Sequence, residues 1–146
     1  IADALISKGN LAPDDLIIQM IEQKINTYKK NCNGFIFDGF PRTVAQAKAL
    51  DELLAKHGKK LTLMIDLHVD EHLLIDRLLK RGLTSGRADD NLEVIKKRLD
   101  VYHQITLPVL DFYKQSGRYV AVENCKTIEQ YFERIVHLIE FSICGF

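Results

Sequence analysis

The stretch FIFDGFPRTVAQAK occupies residues 35–48 and decides the predicted fold. Its first four residues, Phe35–Asp38, have the composition of a buried β-strand that ends in a carboxylate. A tight turn containing glycine and proline follows and ends at Arg42, after which apolar residues recur at helical spacing. The stretch therefore predicts a strand, a charged turn and a helix, with the charged groups at the carboxyl end of the strand, where parallel sheets bind ligands.

Short apolar runs alternate with amphipathic runs along the rest of the chain. We predict strands at Phe35–Asp38, Leu61–Leu67 and Tyr119–Val122, the second of them covered on both faces. We predict helices within residues 1–9, from Pro13 to about residue 30, at Val44–Lys56, after Asp70, after Asp90 and from Thr127 to about Ile143. This alternation predicts an α/β fold with a parallel sheet.

The segment between the fourth and fifth of these helices is predicted to be a polar loop, Gly82–Asp90. Asp90 followed by Glu93 resembles a capping box, so the next helix is expected to start at Asp90. Glycines in such a loop would make it compliant.

The composition is that of a globular domain: 146 residues, 47% hydrophobic and 27% charged. The net charge is zero, so no global field attracts nucleic acid or an anionic membrane. No apolar run approaches the roughly 20 residues that span a bilayer. The three cysteines, Cys32, Cys125 and Cys144, form no CxxC pair and predict free thiols in a reducing cytoplasm.

Five of the seven arginines lie in or beside the two glycine-containing turns and the helices that flank them: Arg42, Arg77, Arg81, Arg87 and Arg98. Two explanations stay open on spacing alone. The arginines could form a solvated face with i,i+4 ion pairs. They could instead form a cage of guanidinium groups around a polyphosphate, whose oxygens these groups bind in a bidentate way.

Three residues of the opening stretch also have two explanations each. Asp38 could cap its turn, or it could hold the water shell of Mg²⁺, which needs only one or two carboxylates. Gly39 could be a turn residue or could let a ligand approach the backbone. Gln46 could be a polar surface residue or could read the edge of a base. The i,i+4 pair His68 and His72 lacks a third ligand, so no directly bound metal is predicted.

Several motifs together resemble the adenylate kinases, a group of nucleoside-monophosphate kinases. They are DGFPRTVAQA (residues 38–47), RLLKRGLTSGRADDN (residues 77–91) and IKKRLDVY (residues 95–102). GNLAPDDL (residues 9–16) is similar to the segment that closes the family's monophosphate-binding region. The likeness extends from about residue 1 to about residue 135. It implies a P-loop kinase-like fold of three layers, a parallel sheet with flanking helices, and a short lid without zinc.

The resemblance also implies roles for matching positions. The residues implied to bind AMP are Asn10, Leu11, Ala12, Gly39, Phe40, Pro41, Arg42, Gln46, Arg87 and Arg98. Arg42 would grip the AMP phosphate and Gln46 would read adenine. Arg87 and Arg98 would close on the transferring phosphoryl group. Together with Asp38, which would organise hydrated Mg²⁺ bound with ATP, these three arginines are the implied catalytic set.

Three residues are implied to contact ATP, and two to latch the lid. Arg77 would pack on the ATP adenine, and Arg81 would contact the ATP phosphates. Lys126 stands where the family usually has a glycine beside that adenine. Asp89 and Asp90 would help to hold the lid closed.

The resemblance divides the chain into the end of the monophosphate-binding region (residues 1–12), core (13–79), short lid (80–90) and core (91–146). The family begins with a strand and a GxxxxGK phosphate-binding loop, which this sequence does not contain. We therefore expect a fold that is incomplete at the N-terminus, with roughly 60–75 residues ahead of Ile1 in the natural protein. A gap of one strand is then expected between the strands predicted at 35–38 and 61–67.

The activity implied is ATP + AMP ⇌ 2 ADP by arginine-stabilised in-line transfer, in a cytoplasmic monomer without nucleic-acid or membrane partners. Activity of the 146 residues alone is not expected. A UMP/CMP kinase is an alternative that Thr43 and Gln46 disfavour, because pyrimidine-preferring relatives have Asn at both places. A non-catalytic nucleotide-binding fragment is the other alternative, supported by the lack of the phosphate-binding loop.

Overall fold

The computed structural model of the protein describes residues 10–28, 32–85, 89–123 and 127–144. Its helices are α1 (Asp14–Tyr28), α2 (Val44–Lys56), α3 (Glu71–Ser85), α4 (Leu92–Val101), α5 (Leu107–Gln115) and α6 (Ile128–Cys144). Its strands are β1 (Met64–Leu67) and β2 (Tyr119–Val122), and a π-helical turn, Tyr102–Thr106, separates α4 from α5. The helix predicted within residues 1–9 lies outside the described residues. No helix of the described ranges is long and apolar enough to cross a membrane.

Strands β1 and β2 form a parallel pair in which Met64 lies opposite Tyr119 and Leu67 opposite Val122. Three helices connect the two strands, as a crossover between parallel strands requires. The parallel sheet of the predicted α/β fold is therefore confirmed. Strand β1 is shorter than the predicted strand Leu61–Leu67, however, and Leu67 is 48% exposed. The prediction of a strand covered on both faces is wrong there, because no described element covers this end of β1.

The segment Phe35–Asp38 is not a strand, so this prediction is wrong. Phe35 and Phe37 pack on the core while Ile36 between them is 88% exposed, an alternation of the kind that an extended backbone produces. A strand also needs a hydrogen-bonded neighbour, and β1 pairs only with β2 among the described residues. The segment packs on the core through Phe35 and Phe37, and the gap of one strand expected between it and β1 stays a prediction.

Helix α2 lies at the centre of the core, and its predicted bounds, Val44–Lys56, are confirmed. One cluster joins it to α1 through Ile25, Leu50, Leu53 and Leu54. A second cluster joins it to α5 through Ala47, Val109 and Tyr113. Burying each large apolar side chain contributes on the order of 1.5–3 kcal/mol, so these contacts fix α2 and the turn that precedes it.

Helix α3 runs to Ser85, so the first half of the loop predicted at Gly82–Asp90 is helical. Packing explains the glycine at its end. A Cβ added at Gly82 would come within 2.6 Å of the Asp90 carbonyl oxygen. Gly82 therefore lets residue 90 pack directly against the helix. It was expected to make a loop flexible, but it lies within α3 and serves this close packing instead.

The next helix starts one residue later than predicted. Asn91 is the N-cap of α4, and its Oδ1 accepts a hydrogen bond from the backbone N–H of Val94 at 3.0 Å. The predicted capping box at Asp90 is wrong because the Asp90 carboxylate is bound by Arg81 instead. Asp70 and Thr127, at the predicted starts of two helices, are caps: each side chain accepts a backbone N–H of the helix that it precedes.

The side chain of Tyr113 is fully buried, and its hydroxyl group has no partner among the described residues. The Arg118 guanidinium lies 5.2 Å from the centre of its ring and makes a bidentate ion pair with Asp51 at 2.8 and 2.7 Å. Burial, chiefly, raises the pKa of Tyr113 to about 12. The phenol is therefore held neutral in the folded protein where a solvated tyrosine, with a pKa near 10, would ionise.

The free energy of unfolding is expected to fall as the pH rises from 10 to 12. In this window the unfolded chain loses the Tyr113 proton while the folded chain keeps it, so stability present below pH 10 is lost. The slope has an upper limit of about 1.4 kcal/mol per pH unit for one group. Tyr113→Phe should reduce the slope and, at pH 7, leave the stability unchanged or raise it by about 1 kcal/mol, because it removes an unpaired buried hydroxyl group.

Urea titrations at several values between pH 9 and pH 12 measure this slope. Burial together with the hydrogen bond to Asp66 also raises the pKa of Tyr119 to about 12, so Tyr119→Phe should reduce the slope as well. Tyr28→Phe, at an exposed position on α1, is the control. An unchanged slope in Tyr113→Phe would contradict the explanation.

Candidate active site

The turn that opens α2 depends on a glycine. Gly39 has φ of 64°, in the left-handed region, and its carbonyl oxygen accepts a hydrogen bond from Arg42 Nε at 2.7 Å. A Cβ added at Gly39 would lie 2.8 Å from Arg42 Nη2. The glycine therefore serves both the backbone conformation and the close approach of the Arg42 guanidinium, whose residue is exposed.

Gln46, in the first turn of α2, is only 3% exposed, and its amide group bridges two elements. Its Oε1 accepts the backbone N–H of Arg42 at 2.7 Å, and its Nε2 donates to Asp14 Oδ1 at 2.7 Å. The Thr43 hydroxyl donates to Asp14 Oδ2 at 2.9 Å and accepts the backbone N–H of Gln46 at 3.0 Å. Asp14, Gly39, Arg42, Thr43 and Gln46, here called the turn cluster, thus join the start of α1 to the start of α2.

The turn cluster also contacts the π-helical turn. The Thr106 hydroxyl donates to the carbonyl oxygen of Arg42 at 3.0 Å. Residues 42 and 106 are far apart in sequence. This bond therefore fixes the position of the turn that opens α2 relative to α4 and α5, which flank the π-helical turn.

A second group, here called the lid cluster, consists of Arg81, Asp89, Asp90 and Arg98. Arg81 binds Asp90 through two parallel contacts, Nε to Oδ2 at 2.6 Å and Nη2 to Oδ1 at 2.7 Å. Arg98 Nη1 lies 3.2 Å from Asp89 Oδ2 and 3.4 Å from Asp90 Oδ1. The Asp90 side chain is fully buried, and its hydrogen bond raises the pKa of Arg81 above the ordinary value.

Among the described residues, the lid cluster sets two buried carboxylates against two guanidinium groups. A buried carboxylate without such partners would cost several kcal/mol, so the ion pairs are needed to seat Asp89 and Asp90. Arg81 and Arg98 each keep N–H groups that no described residue binds, and their side chains are 41% and 33% exposed. The cluster can therefore present two adjacent cations to an anion from solvent.

The predicted site residues are only partly brought together. Arg42 lies with Gly39 and Gln46, and Arg81 lies with Arg98, but no hydrogen bond or ion pair between described residues joins the two clusters. Asp38 and Arg77 are exposed and belong to neither cluster. Arg87 and Lys126 lie outside the described residues. The convergence of all these side chains on one ligand stays a prediction.

The residues predicted to line AMP beside the turn cluster have different surroundings. Pro41 is buried, and Phe40 is partly buried with its ring centre 6.1 Å from that of Phe37. Asn10, Leu11 and Ala12 are partly buried and immediately precede the residues that open α1. Their position next to Asp14 in the chain brings them close to the turn cluster.

The surface depression found among the described residues does not coincide with either cluster. A shallow depression is formed on α1 alone and is lined by Gln19, Glu22, Gln23, Asn26 and Thr27. It contains no arginine and no residue of either cluster, so the chemistry of the side chains is the better guide. Within the described ranges, no group of three or more His, Cys, Asp or Glu side chains is arranged to hold a metal ion.

Sequence reasoning missed two members of this arrangement. From the sequence alone, Asp14 is one of two acids that complement the N-terminus of α1, and nothing singles out Thr106. Both act across long sequence separations, 32 positions from Asp14 to Gln46 and 64 positions from Arg42 to Thr106. An acid at a helix start is so common that its spacing alone could not reveal the bond to Gln46.

Comparison with known proteins supplies the family. The family model described as Adenylate kinase matches residues 1–118. The adenylate kinase of Parabacteroides distasonis is 51% identical over 135 residues, which cover 92% of this chain and 70% of that protein. The adenylate kinase of Phocaeicola vulgatus is 48% identical over 139 residues, covering 95% and 73%, and that of Porphyromonas gingivalis is 45% identical, covering 95% and 71%. On this match, which includes the motifs of both clusters, the chain belongs to the adenylate kinase family.

Proposed function

We propose that the natural protein transfers a phosphoryl group from ATP to AMP, ATP + AMP ⇌ 2 ADP. The observation that carries the proposal is the match of more than nine-tenths of the chain to relatives named adenylate kinase. The two arginine-containing clusters support it, since a reaction between two polyphosphates needs preorganised cations more than it needs covalent chemistry from the protein.

The turn cluster would receive AMP. The Arg42 guanidinium uses Nε for the Gly39 carbonyl oxygen and keeps its Nη groups for a phosphate. Gln46 would bind the adenine, with Asn10, Leu11, Ala12, Phe40 and Pro41 lining the nucleotide. Thr43 is held by Asp14 and has no hydroxyl proton left to offer a pyrimidine. The cluster therefore favours AMP over UMP and CMP.

The lid cluster would act on the phosphoryl group in transit. Arg98, with Arg87, would neutralise the charge that spreads over the equatorial oxygens during in-line transfer. Arg81 would bind the ATP phosphates, and Arg77 and Lys126 would lie at the ATP adenine. Asp89 and Asp90 hold Arg81 and Arg98 in place before any nucleotide arrives, so little reorganisation is needed when it binds.

Asp38 fits the requirement of Mg²⁺, which retains most of its water and needs one or two carboxylates besides the phosphates. The side chain is exposed at the start of the Gly39 turn, so it can accept hydrogen bonds from water bound to the ion. When bound with ATP, the ion would neutralise phosphate charge. The role of Asp38 is to orient that hydrated ion.

The remaining assignments are proposals of the same kind. The lid would comprise residues 80–90, with its first half on the end of α3. Residues 1–12 would close the monophosphate-binding region, and residues 13–79 and 91–146 would form the core. The protein would be a cytoplasmic monomer, and the free thiol of Cys32 agrees with a reducing compartment.

An ADP-forming assay on the natural full-length protein tests the activity, with AMP, UMP and CMP compared as acceptors. We expect ATP consumption to depend on AMP, with the other two acceptors used at least about a hundredfold less efficiently. A preference for UMP or CMP would reject AMP as the acceptor. AMP binding by calorimetry without any turnover would instead indicate a non-catalytic nucleotide-binding protein.

A further inference from the structure

We propose that Asp14 is a positioning residue: it fixes the orientation of the Gln46 amide group and so selects adenine over 6-oxopurine bases in the acceptor nucleotide. The proposal deepens the proposed function and rests on it for the identity of the ligand. The contacts on which it depends are those of Asp14, Arg42, Thr43 and Gln46.

The orientation of the Gln46 amide follows from the chemistry of its neighbours. The backbone N–H of Arg42 can only donate, so the amide atom 2.7 Å from it must be the oxygen. An ionised carboxylate such as that of Asp14 accepts hydrogen bonds and donates none, so the amide atom 2.7 Å from it must be the nitrogen. In a flipped amide, the NH₂ group would face the N–H of Arg42 and the oxygen would face the carboxylate of Asp14. Neither pair can form a hydrogen bond, so the two contacts exclude the flipped orientation.

The capacity that remains suits an adenine edge. A glutamine amide offers two N–H groups and two oxygen lone pairs, and the internal bonds use one of each. One donor and one acceptor are left, which is what a bidentate contact between an amide and adenine requires. Hypoxanthine presents the opposite arrangement, a carbonyl oxygen in place of the 6-amino group and an N–H at N1. A fixed amide rejects it, whereas an amide free to flip could bind it.

Asp14 is the partner that can be changed without altering the backbone. Its carboxylate accepts two bonds, from Gln46 and from the Thr43 hydroxyl. The side chain of an asparagine at this position has one oxygen and one NH₂ group. It can therefore not accept both hydrogen bonds in the positions where the two carboxylate oxygens accept them. It can also turn its own amide to suit either orientation of Gln46. Asp14→Asn therefore removes half of the constraint on Gln46 at nearly constant volume.

The test compares kcat/KM for AMP with that for inosine monophosphate in the natural full-length protein. In Asp14→Asn we expect the preference for AMP to fall about tenfold, as the loss of one charge-assisted hydrogen bond would cause, with the KM for ATP unchanged. The control is Asp15→Asn, which removes the same charge from the same helix turn at an exposed position and should keep the preference. A fall in activity that is equal for both acceptors would overturn the proposal, because a purely structural contact has no reason to distinguish the bases.

A second measurement does not depend on turnover. In nuclear magnetic resonance spectra of the nucleotide-free protein, the side-chain N–H signals of Gln46 should be sharp, and Asp14→Asn should broaden them through exchange between two orientations of the amide group, while Asp15→Asn does not. Identical Gln46 signals in all three proteins would overturn the proposal. If this change occurs in a protein that shows no AMP-dependent turnover, the proposed function fails while the positioning of Gln46 by Asp14 stands.

Discussion

Arg98→Ala is expected to lower the kcat of the natural protein about a thousandfold while the protein remains folded. An arginine that contacts the transferring phosphoryl group is worth roughly 10³-fold or more in rate, because its charge acts where negative charge is delocalised in the transition state. The fold should survive with reduced stability, since Asp90 keeps its two contacts with Arg81 while Asp89 loses its contact with Arg98. Urea unfolding measures that loss of stability, and kcat of the folded variant then reports the missing charge.

Two further variants separate the chemistry from the charge. Arg98→Lys retains a cation but loses the planar fork, so it should recover only a minor part of the rate. Lys97→Ala removes the neighbouring cation from the exposed face of α4 and should leave kcat within about a factor of two. A kcat in Arg98→Ala close to that of Lys97→Ala would show that Arg98 contributes only to the ion pairs of the lid cluster.

Gly39→Ala is expected to raise the KM for AMP roughly thirtyfold, whereas Gly58→Ala leaves it unchanged. Both glycines have φ near 65°, so both substitutions carry the same backbone strain of about 1–2 kcal/mol. A Cβ at Gly58 would meet nothing within 4 Å, but one at Gly39 would lie 2.8 Å from Arg42 Nη2. Only Gly39→Ala therefore displaces the guanidinium, and a lost contact with phosphate of about 2 kcal/mol corresponds to the expected factor.

The pair of glycine variants is compared by urea unfolding and by acceptor kinetics. Their losses of stability should be similar, and only their KM values for AMP should differ. An equal and small change in KM would mean that the position of the Arg42 side chain is unimportant for AMP. A rise in both values would trace the effect to general destabilisation.

Helix α2 could be predicted from the sequence because all of its determinants are local. Apolar residues recur at helical spacing from Val44 onward, and their burial against α1 and α5 agrees with that spacing. The burial of Phe35 and Phe37 was also predictable from the residue types of the segment Phe35–Asp38. Its hydrogen bonding was not, because a strand exists only where a second strand lies beside it, and a single run of residues does not specify that neighbour.

The candidate site divides in the same way. The family motifs implied separate roles for Arg81 at the ATP phosphates, for Arg98 at the transferring phosphoryl group and for Asp89 and Asp90 in the lid latch. The structure places these four side chains in contact. The sequence pattern assigned the cap of α4 to Asp90 because the pattern of a capping acid does not reveal that Arg81 binds the same carboxylate. The role of Asp14 depends on packing between two helices, which local patterns do not encode.

The π-helical turn at Tyr102–Thr106 changes the angular phase between α4 and α5. Such a turn accommodates one residue more than an α-helical turn, and one residue corresponds to about 100° of rotation around the axis. Arg98 before the turn thus faces the lid cluster while Tyr113 after it faces α2. A one-residue deletion within this turn would restore a regular helix and rotate α5 relative to α4 by about 100°. Arg98 and Tyr113 could then not both keep their partners, so either the lid cluster or the packing against α2 would be lost.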